Sequence, residues 1–176
     1  MNIEQKIKST VRDVPNFPKE GIMFKDITPV FLNPHLRKEI TKSFCERVSN
    51  IEIDVIVGVE SRGFLFGMLM AEFMNIPFVP IRKKGKLPAD TYGIDYDLEY
   101  GKASIELHKD AITPGQKVLL HDDLLATGGT IMASAELIKL TGAELVGFTF
   151  LVELDFLNAR EKLKKYSDNI ITLANY

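Results

Sequence analysis

The sequence contains little cysteine and no long apolar run. Its one cysteine, Cys45, excludes an internal disulfide and any C-x-x-C metal or redox pair, and its helical context predicts a packing role. The longest apolar run, residues 64–71, is far shorter than the roughly 20 residues that span a bilayer. The first ten residues lack the apolar segment of a signal peptide. We therefore predict a cytoplasmic protein without a membrane partner.

The sequence also lacks an excess of charge of either sign. Its 22 lysines and arginines and 24 aspartates and glutamates give a formal net charge of −2. A general nucleic-acid binder needs a basic face, so we exclude nucleic acid as a partner, while a small anion pocket stays compatible. The 176 residues are 45% apolar and 26% charged, which predicts one globular domain with its own core.

Helical and strand patterns alternate along the chain. Asn33 and Pro34 are typical of a helix start, and apolar side chains then recur every fourth residue to about residue 50. Pro80 either weakens the prediction of the second strand or places that strand near a sheet edge. The alternation predicts an α/β fold with a parallel sheet, whose ligands bind at the carboxyl ends of the strands. The predicted strands are 54–60, 78–81, 103–107, 117–121, 145–152 and 170–173, and the further helices are 62–74, 131–140 and 155–166.

Residues 82–100 follow neither pattern. They contain a lysine-rich stretch, 83–88, and several turn signals, including Tyr92 followed by glycine. We predict a long loop or a loose hairpin here, and long loops inside compact domains often act as lids over a site.

The most informative stretch is residues 118–130, where an apolar strand leads into Asp122 and Asp123 and then into a loop that opens a helix. Glycines let the backbone approach a ligand closely, and free N–H groups at a helix start bind phosphate. The carboxylates would repel phosphate but suit sugar hydroxyls or a hydrated metal ion. The nucleotide P-loop pattern is missing. The stretch therefore predicts a sugar-phosphate site whose loop consists of Ala126, Thr127, Gly128, Gly129 and Thr130.

Residues 122–130 are similar to the phosphoribosyl-diphosphate signature of the type I phosphoribosyltransferase family. Four further blocks resemble segments of those family members that use adenine, in the same order along the chain. Residues 17–29 match the base-binding segment, 60–64 the diphosphate loop, and 82–88 and 98–102 the two ends of a mobile loop. The resemblance covers essentially the whole chain.

This resemblance implies a single domain over 1–176 with a central, mostly parallel sheet flanked by helices. It implies a small N-terminal hood over residues 1–32 and a mobile catalytic loop over 82–101. The implied reaction transfers the 5-phosphoribosyl group from 5-phospho-α-D-ribose 1-diphosphate to adenine and forms AMP and diphosphate, a step of purine salvage. The implied cofactor is Mg²⁺, held by substrate and water near Asp122 and Asp123 without direct protein ligation.

The resemblance also implies residue roles. Glu99 corresponds to the family's acid/base at the purine N7 atom. Phe24 and Leu124 would sandwich adenine, while the backbone at Met23 and Lys25 would read its edge, although arginine is more frequent at position 25 and a branched aliphatic residue at 23. The residue that matches Arg82 reaches the diphosphate of the neighbouring subunit, which implies a homodimer. The implied diphosphate-binding residues are Glu60, Ser61, Arg62, Arg82 and Lys86, with the Glu60–Ser61 peptide in the cis form.

Several alternatives stay open at this point. His121 stands where the signature usually has an aliphatic residue, and we favour a core histidine over a hydrogen bond under the site. A transferase for another base would keep the fold, but such enzymes lack the matches at 24–29 and 98–101. A non-catalytic regulator that senses the diphosphate would typically carry a DNA-binding domain, whereas residues 1–53, ahead of the first core strand, carry the base-binding match.

Overall fold

The structure is a computed structural model that describes residues 1–97 and 101–176. Glu99, the implied acid/base, lies outside the described residues. A short 3₁₀ turn, Asp155–Leu157, follows the eighth strand. The helices are α1 (Ile3–Thr10), α2 (Thr28–Phe31), α3 (Pro34–Arg47), α4 (Gly63–Met74), α5 (Gly129–Lys139) and α6 (Ala159–Leu163). The strands are β1 (Arg12–Pro15), β2 (Met23–Asp26), β3 (Val55–Val59), β4 (Phe78–Lys83), β5 (Thr91–Asp97), β6 (Lys102–His108), β7 (Lys117–Leu125), β8 (Glu144–Glu153) and β9 (Ile170–Asn175).

A seven-stranded sheet in the order β5-β6-β4-β3-β7-β8-β9 forms the centre of the fold. Strands β4, β3, β7, β8 and β9 run parallel, and β5 and β6 pair antiparallel at one end. Strands β1 and β2 form a separate antiparallel hairpin near the N-terminus. The prediction of a mostly parallel sheet flanked by helices is confirmed.

Two buried clusters, one on each face of the sheet, hold the layers together. Successive residues of β7 point to opposite faces, so Leu120 packs into the cluster beneath α5 while Leu119 packs against α3 and α4. Phe148 belongs to the first cluster and Phe44 to the second. Cys45 is buried in the second cluster, where burial raises its thiol pKa to about 11, so its packing role is confirmed.

The region from 78 to 108 differs in part from the sequence prediction. The stretch predicted as a long loop or a loose hairpin contains strand β5, which pairs antiparallel with β6, the strand predicted at 103–107. Strand β4 lies inside the sheet, so its placement near an edge was wrong. Proline is tolerated at position 80 because β6 pairs with β4 only at Arg82 and Lys83, which leaves the Pro80 nitrogen beyond that ladder.

Two predicted boundaries were also wrong. Strand β7 continues to Leu125, because Asp122, Leu124 and Leu125 keep their register with β8, so the acidic pair lies within the last part of the strand instead of following it. The single helix predicted over 155–166 is broken at Asn158. This residue adopts a left-handed conformation with φ of 50°, which asparagine tolerates better than most residues, and it separates the 3₁₀ turn from α6. Among the described residues, no helix has the length and apolar character needed to cross a membrane.

His121 is a core residue with no exposed surface. Its Nδ1 atom lies 2.9 Å from the Thr149 hydroxyl, and its ring packs edge-on against Phe44. Burial penalises the charged imidazolium and lowers the pKa of His121 to about 3. This histidine therefore stays neutral in the folded protein over the physiological pH range.

We predict that His121 makes the protein less stable in acid. Between pH 6.5 and 3 the unfolded chain protonates this histidine and the folded chain does not, so stability falls as the pH falls, by up to about 1.4 kcal/mol per pH unit. Replacement His121→Leu should remove this loss, whereas replacement of the exposed His35 by glutamine should leave it unchanged. The measurement is the free energy of unfolding in urea at pH 7, 6, 5 and 4. Equal slopes for wild type and His121→Leu would contradict the prediction.

Candidate active site

The carboxyl ends of β3, β4 and β7 meet at one edge of the sheet, since the three strands are neighbours and run parallel. The turn after β3 begins at Glu60, the turn after β4 at Lys84, and the loop after β7 at Ala126. This topology brings together three of the segments that sequence analysis singled out, and it creates the crevice in which α/β sheets bind ligands.

Two adjacent carboxyl groups, Asp122 and Asp123, lie at the end of β7. Asp123 is 3% exposed and Asp122 is partly buried. One oxygen of Asp122 accepts a hydrogen bond of 2.9 Å from the Asp123 backbone N–H. Burial raises the pKa of both groups; the charge of Asp123 raises that of Asp122 further, and the Arg62 guanidinium opposes the rise at Asp123. The pair is an acceptor site that favours donors or cations.

Arg62 connects the acidic pair with the N-terminal hairpin. Its Nε atom lies 2.9 Å from Asp123 Oδ2 in an ion pair, and its guanidinium carbon lies 5.4 Å from the centre of the Phe24 ring. Gly63 makes this placement possible, because a side-chain carbon there would lie 2.9 Å from the His121 carbonyl oxygen and 3.0 Å from Asp122 Oδ1. The structure thus brings three predicted site residues together.

Glu60 gathers the basic residues of the β4 turn. The Glu60–Ser61 peptide is cis, as the resemblance implied. The Glu60 carboxylate is almost buried and accepts bonds from Lys86 Nζ at 2.6 Å, the Lys83 N–H at 2.8 Å and Arg82 Nε at 3.4 Å. Burial acts to raise the pKa of Glu60, but these donors outweigh it and hold the pKa below its usual value. A carboxylate repels diphosphate, so this side chain can position cations but not bind the anion.

The loop from Ala126 to Thr130 surrounds a cavity of about 100 Å³ that Asp122 and Leu124 also line. Gly128 has φ of +84°, a conformation that favours glycine, and α5 begins at the next residue. The first N–H groups of a helix have no partner within it and are available to an anion. The cavity therefore places helix-start donors beside a carboxylate, which suits a phosphorylated sugar.

The residues implied to bind adenine lie on β2 and β7. Phe24 packs against Phe17 with ring centres 5.1 Å apart. Met23 is half exposed, and the Lys25 ammonium bonds Asp13 at 2.6 Å and lies 4.0 Å from the Tyr176 ring centre. The side chain of Lys25 is thus used within the protein.

Sequence reasoning missed two neighbours of the loop from Ala126 to Thr130. The Tyr96 hydroxyl lies 3.2 Å from the Thr130 hydroxyl, so strand β5 contacts the start of α5. The Lys162 ammonium donates to the Thr127 carbonyl oxygen at 3.4 Å from helix α6. The tyrosines at 92–100 were a weak signal for the first contact, and no local pattern indicated the second.

A larger cavity of about 540 Å³ lies at the opposite edge of the sheet. Lys117 and Glu144, the first residues of β7 and β8, are among its lining residues. None of the predicted site residues lines it, so size does not identify the functional site in this molecule.

Comparisons with known proteins agree with this geometry. Residues 30–174 match the protein family described as the phosphoribosyl transferase domain. The adenine phosphoribosyltransferase of Cytophaga hutchinsonii is 48% identical over 174 residues, which is 99% of this chain and 96% of that protein. The enzyme of the same name from Lachnoclostridium phytofermentans is 51% identical over 162 residues, covering 92% of this chain and 93% of its own.

Solved structures agree as well. The crystal structure of adenine phosphoribosyltransferase from Thermoanaerobacter pseudethanolicus superimposes with a TM-score of 0.95 at 45% identity, over 99% of this chain and all of that chain. The Saccharomyces cerevisiae enzyme, complexed with an imino-altritol bisphosphate and adenine, has a TM-score of 0.90 at 42% identity, over 97% and 98% of the two chains. The crevice at the ends of β3 and β7, the family match and these likenesses together show that this chain belongs to the phosphoribosyltransferase family.

Proposed function

We propose that this protein is an adenine phosphoribosyltransferase that forms AMP and diphosphate from adenine and 5-phospho-α-D-ribose 1-diphosphate. Purine salvage in the cytoplasm is its proposed role. The observation that carries the proposal is the similarity to enzymes of that name, 48% and 51% identical over 99% and 92% of this chain. The pair Asp122 and Asp123 directly ahead of a phosphate-sized cavity supports it.

The sugar phosphate would bind along the end of β7. The 5′-phosphate would enter the cavity of the loop from Ala126 to Thr130, where helix-start N–H groups favour an anion. Asp122 and Asp123 would accept hydrogen bonds from the ribose hydroxyls. When the bond to diphosphate breaks, positive charge develops on the ribose, and two carboxylates in a buried setting stabilise it strongly.

The leaving diphosphate requires cations. Arg62, Arg82 and Lys86 lie at the ends of β3 and β4, and Glu60 ties the last two together, which supports a diphosphate site there with the backbone of Ser61 beside it. The described residues offer no cluster of three acidic, histidine or cysteine ligands. The carboxylates of Asp122 and Asp123 suit a nearby Mg²⁺ ion whose ligands are water and substrate oxygens. When bound, Mg²⁺ would neutralise charge on the diphosphate.

Adenine would lie between Phe24 and Leu124, with the backbone at Met23 and Lys25 reading its edge. The internal bonds of the Lys25 side chain support a backbone role at that position. Glu99 would accept the proton from purine N7 during synthesis and return it in the reverse direction. We propose that residues 1–32 act as the hood over the base and residues 82–101 as the closing loop that excludes water.

We also propose that the protein forms a homodimer. Helix α4 is apolar except for Glu72, and its exposed side chains include Leu65 at 45%, Met68 at 50% and Phe73 at 60% exposure. Exposed apolar faces of this kind are typical of protein interfaces. A second copy of the chain on this face would account for the apolar surface, and Arg82 would then serve the diphosphate of the partner.

We predict that the purified protein converts adenine to AMP in the presence of 5-phospho-α-D-ribose 1-diphosphate and Mg²⁺. Hypoxanthine, guanine, xanthine and orotate, offered at equal concentration, should be converted at least about 100-fold less efficiently, because a site that hydrogen-bonds one base rejects others. The measurement is chromatographic detection of the nucleotide. Conversion of another base as fast as adenine contradicts the base assignment. Tight binding of the diphosphate sugar without turnover favours a non-catalytic regulator that senses this compound.

We predict that Asp123→Asn lowers kcat/KM for the diphosphate sugar by about 10- to 100-fold, because a buried charge facing the ribose is lost and Arg62 loses its partner. A fall in kcat would show that the charge acts in the transition state, and a rise in KM would show that it acts in substrate binding. The matched control is Asp110→Asn, which removes an exposed carboxylate in a turn. Unchanged kinetics for Asp123→Asn would show that the acidic pair does not face the sugar.

We predict that Glu99→Gln lowers kcat by about 100-fold and changes the affinity for the diphosphate sugar by much less, because glutamine keeps the shape but cannot exchange the proton. Steady-state kinetics and calorimetric binding measure the two quantities. Glu46→Gln, an exposed change on α3, is the control. Near-normal turnover would remove Glu99 from the mechanism.

A further inference from the structure

The phosphate loop contains no basic residue. Residues 126–130 are alanine, two threonines and two glycines, and the two carboxyl groups of Asp122 and Asp123 precede them closely. A phosphate monoester carries nearly two negative charges near neutral pH. Backbone N–H groups supply only partial positive charge. A cation from another part of the chain would therefore strengthen phosphate binding here.

Helix α6 packs directly against this loop. A side-chain carbon at Gly128 would lie 3.3 Å from the methyl carbon of Ala159, which is 2% exposed. One turn further along α6, the ammonium of Lys162 donates to the carbonyl oxygen of Thr127 at 3.4 Å. The only described cation with a hydrogen bond to the loop thus comes from a separate element.

Arg160 fixes α6 in this position. Its guanidinium bonds both oxygens of the nearly buried Glu153, at 3.1 and 2.6 Å, and also the Ile170 carbonyl and the Thr172 hydroxyl. Glu153 stands opposite Leu125 in the β7–β8 register, one residue before the loop begins. The stem of Lys162 is therefore anchored relative to the loop, while its exposed end can move.

We propose that Lys162 binds the 5′-phosphate of the sugar substrate and of AMP, an inference that rests on the proposed function. The bond to the Thr127 carbonyl is long, its acceptor is uncharged, and Thr127 itself lines the cavity of the loop. A phosphate in that cavity would offer the ammonium a stronger, charge-assisted acceptor. The neighbouring Lys164 is already paired with Glu161 at 2.7 Å. Lys162 is thus a specificity residue for phosphorylated ligands.

The test compares Lys162→Met and Lys162→Arg with the control Lys164→Met, which removes the same charge from the same segment. We expect Lys162→Met to weaken AMP binding and to raise KM for the diphosphate sugar by about three- to tenfold, with kcat and KM for adenine unchanged. Adenosine, which lacks the phosphate, should bind all variants equally. Lys162→Arg should restore most of the affinity for AMP. Calorimetry and steady-state kinetics measure these quantities.

Three outcomes would overturn the inference. The first is that Lys162→Met binds AMP as Lys164→Met does. The second is that Lys162→Met weakens the binding of adenosine as much as that of AMP. The third is that its loss of affinity for AMP follows a fall in its melting temperature. A wild-type protein that makes no AMP from adenine, but binds AMP in a Lys162-dependent way, would overturn the proposed function and support this inference.

Discussion

Two carboxyl groups held side by side at the end of a buried strand impose the main electrostatic constraint on this molecule. Asp122 and Asp123 cannot leave β7, because their strand pairs with β3 on one side and β8 on the other. Burial and mutual repulsion raise the cost of ionising them. The Arg62 ion pair with Asp123 offsets part of that cost. Under the proposed function, the hydroxyl donors of the ribose would offer further compensation from outside the protein.

A second group of charges, at the ends of β3 and β4, contains more cations than carboxylates. Around Glu60, one nearly buried carboxylate holds an arginine, a lysine and a backbone N–H from the β4 turn. Here one carboxylate is paired with two cationic side chains, so the local charge is positive. The small net charge of −2 therefore conceals two neighbouring regions of opposite sign. A substrate with a polyanionic end and a hydroxyl-rich sugar matches this separation.

Sequence patterns predicted the central strands and the loop after β7 well, because runs such as 55–59 are buried at every position and the loop carries its own glycines. The β5 strand escaped a definite prediction, since its residues alternate only between partial burial and exposure and leave the apolar signal weak. The break at Asn158 depends on one left-handed residue within an otherwise helical pattern. The contact of Lys162 with Thr127 joins residues far apart in the chain, so no local spacing could reveal it. Tertiary packing alone decides such contacts.

Gly63 has a mechanical consequence for the site. No side chain fits between the start of α4 and the end of β7, so the two backbones meet almost in van der Waals contact. The turn that presents Arg62 and the strand end that presents Asp122 therefore pack directly against each other, with no side chain between them. Under the proposed function, this contact would set the spacing between the cation that faces the leaving diphosphate and the carboxylates that face the sugar.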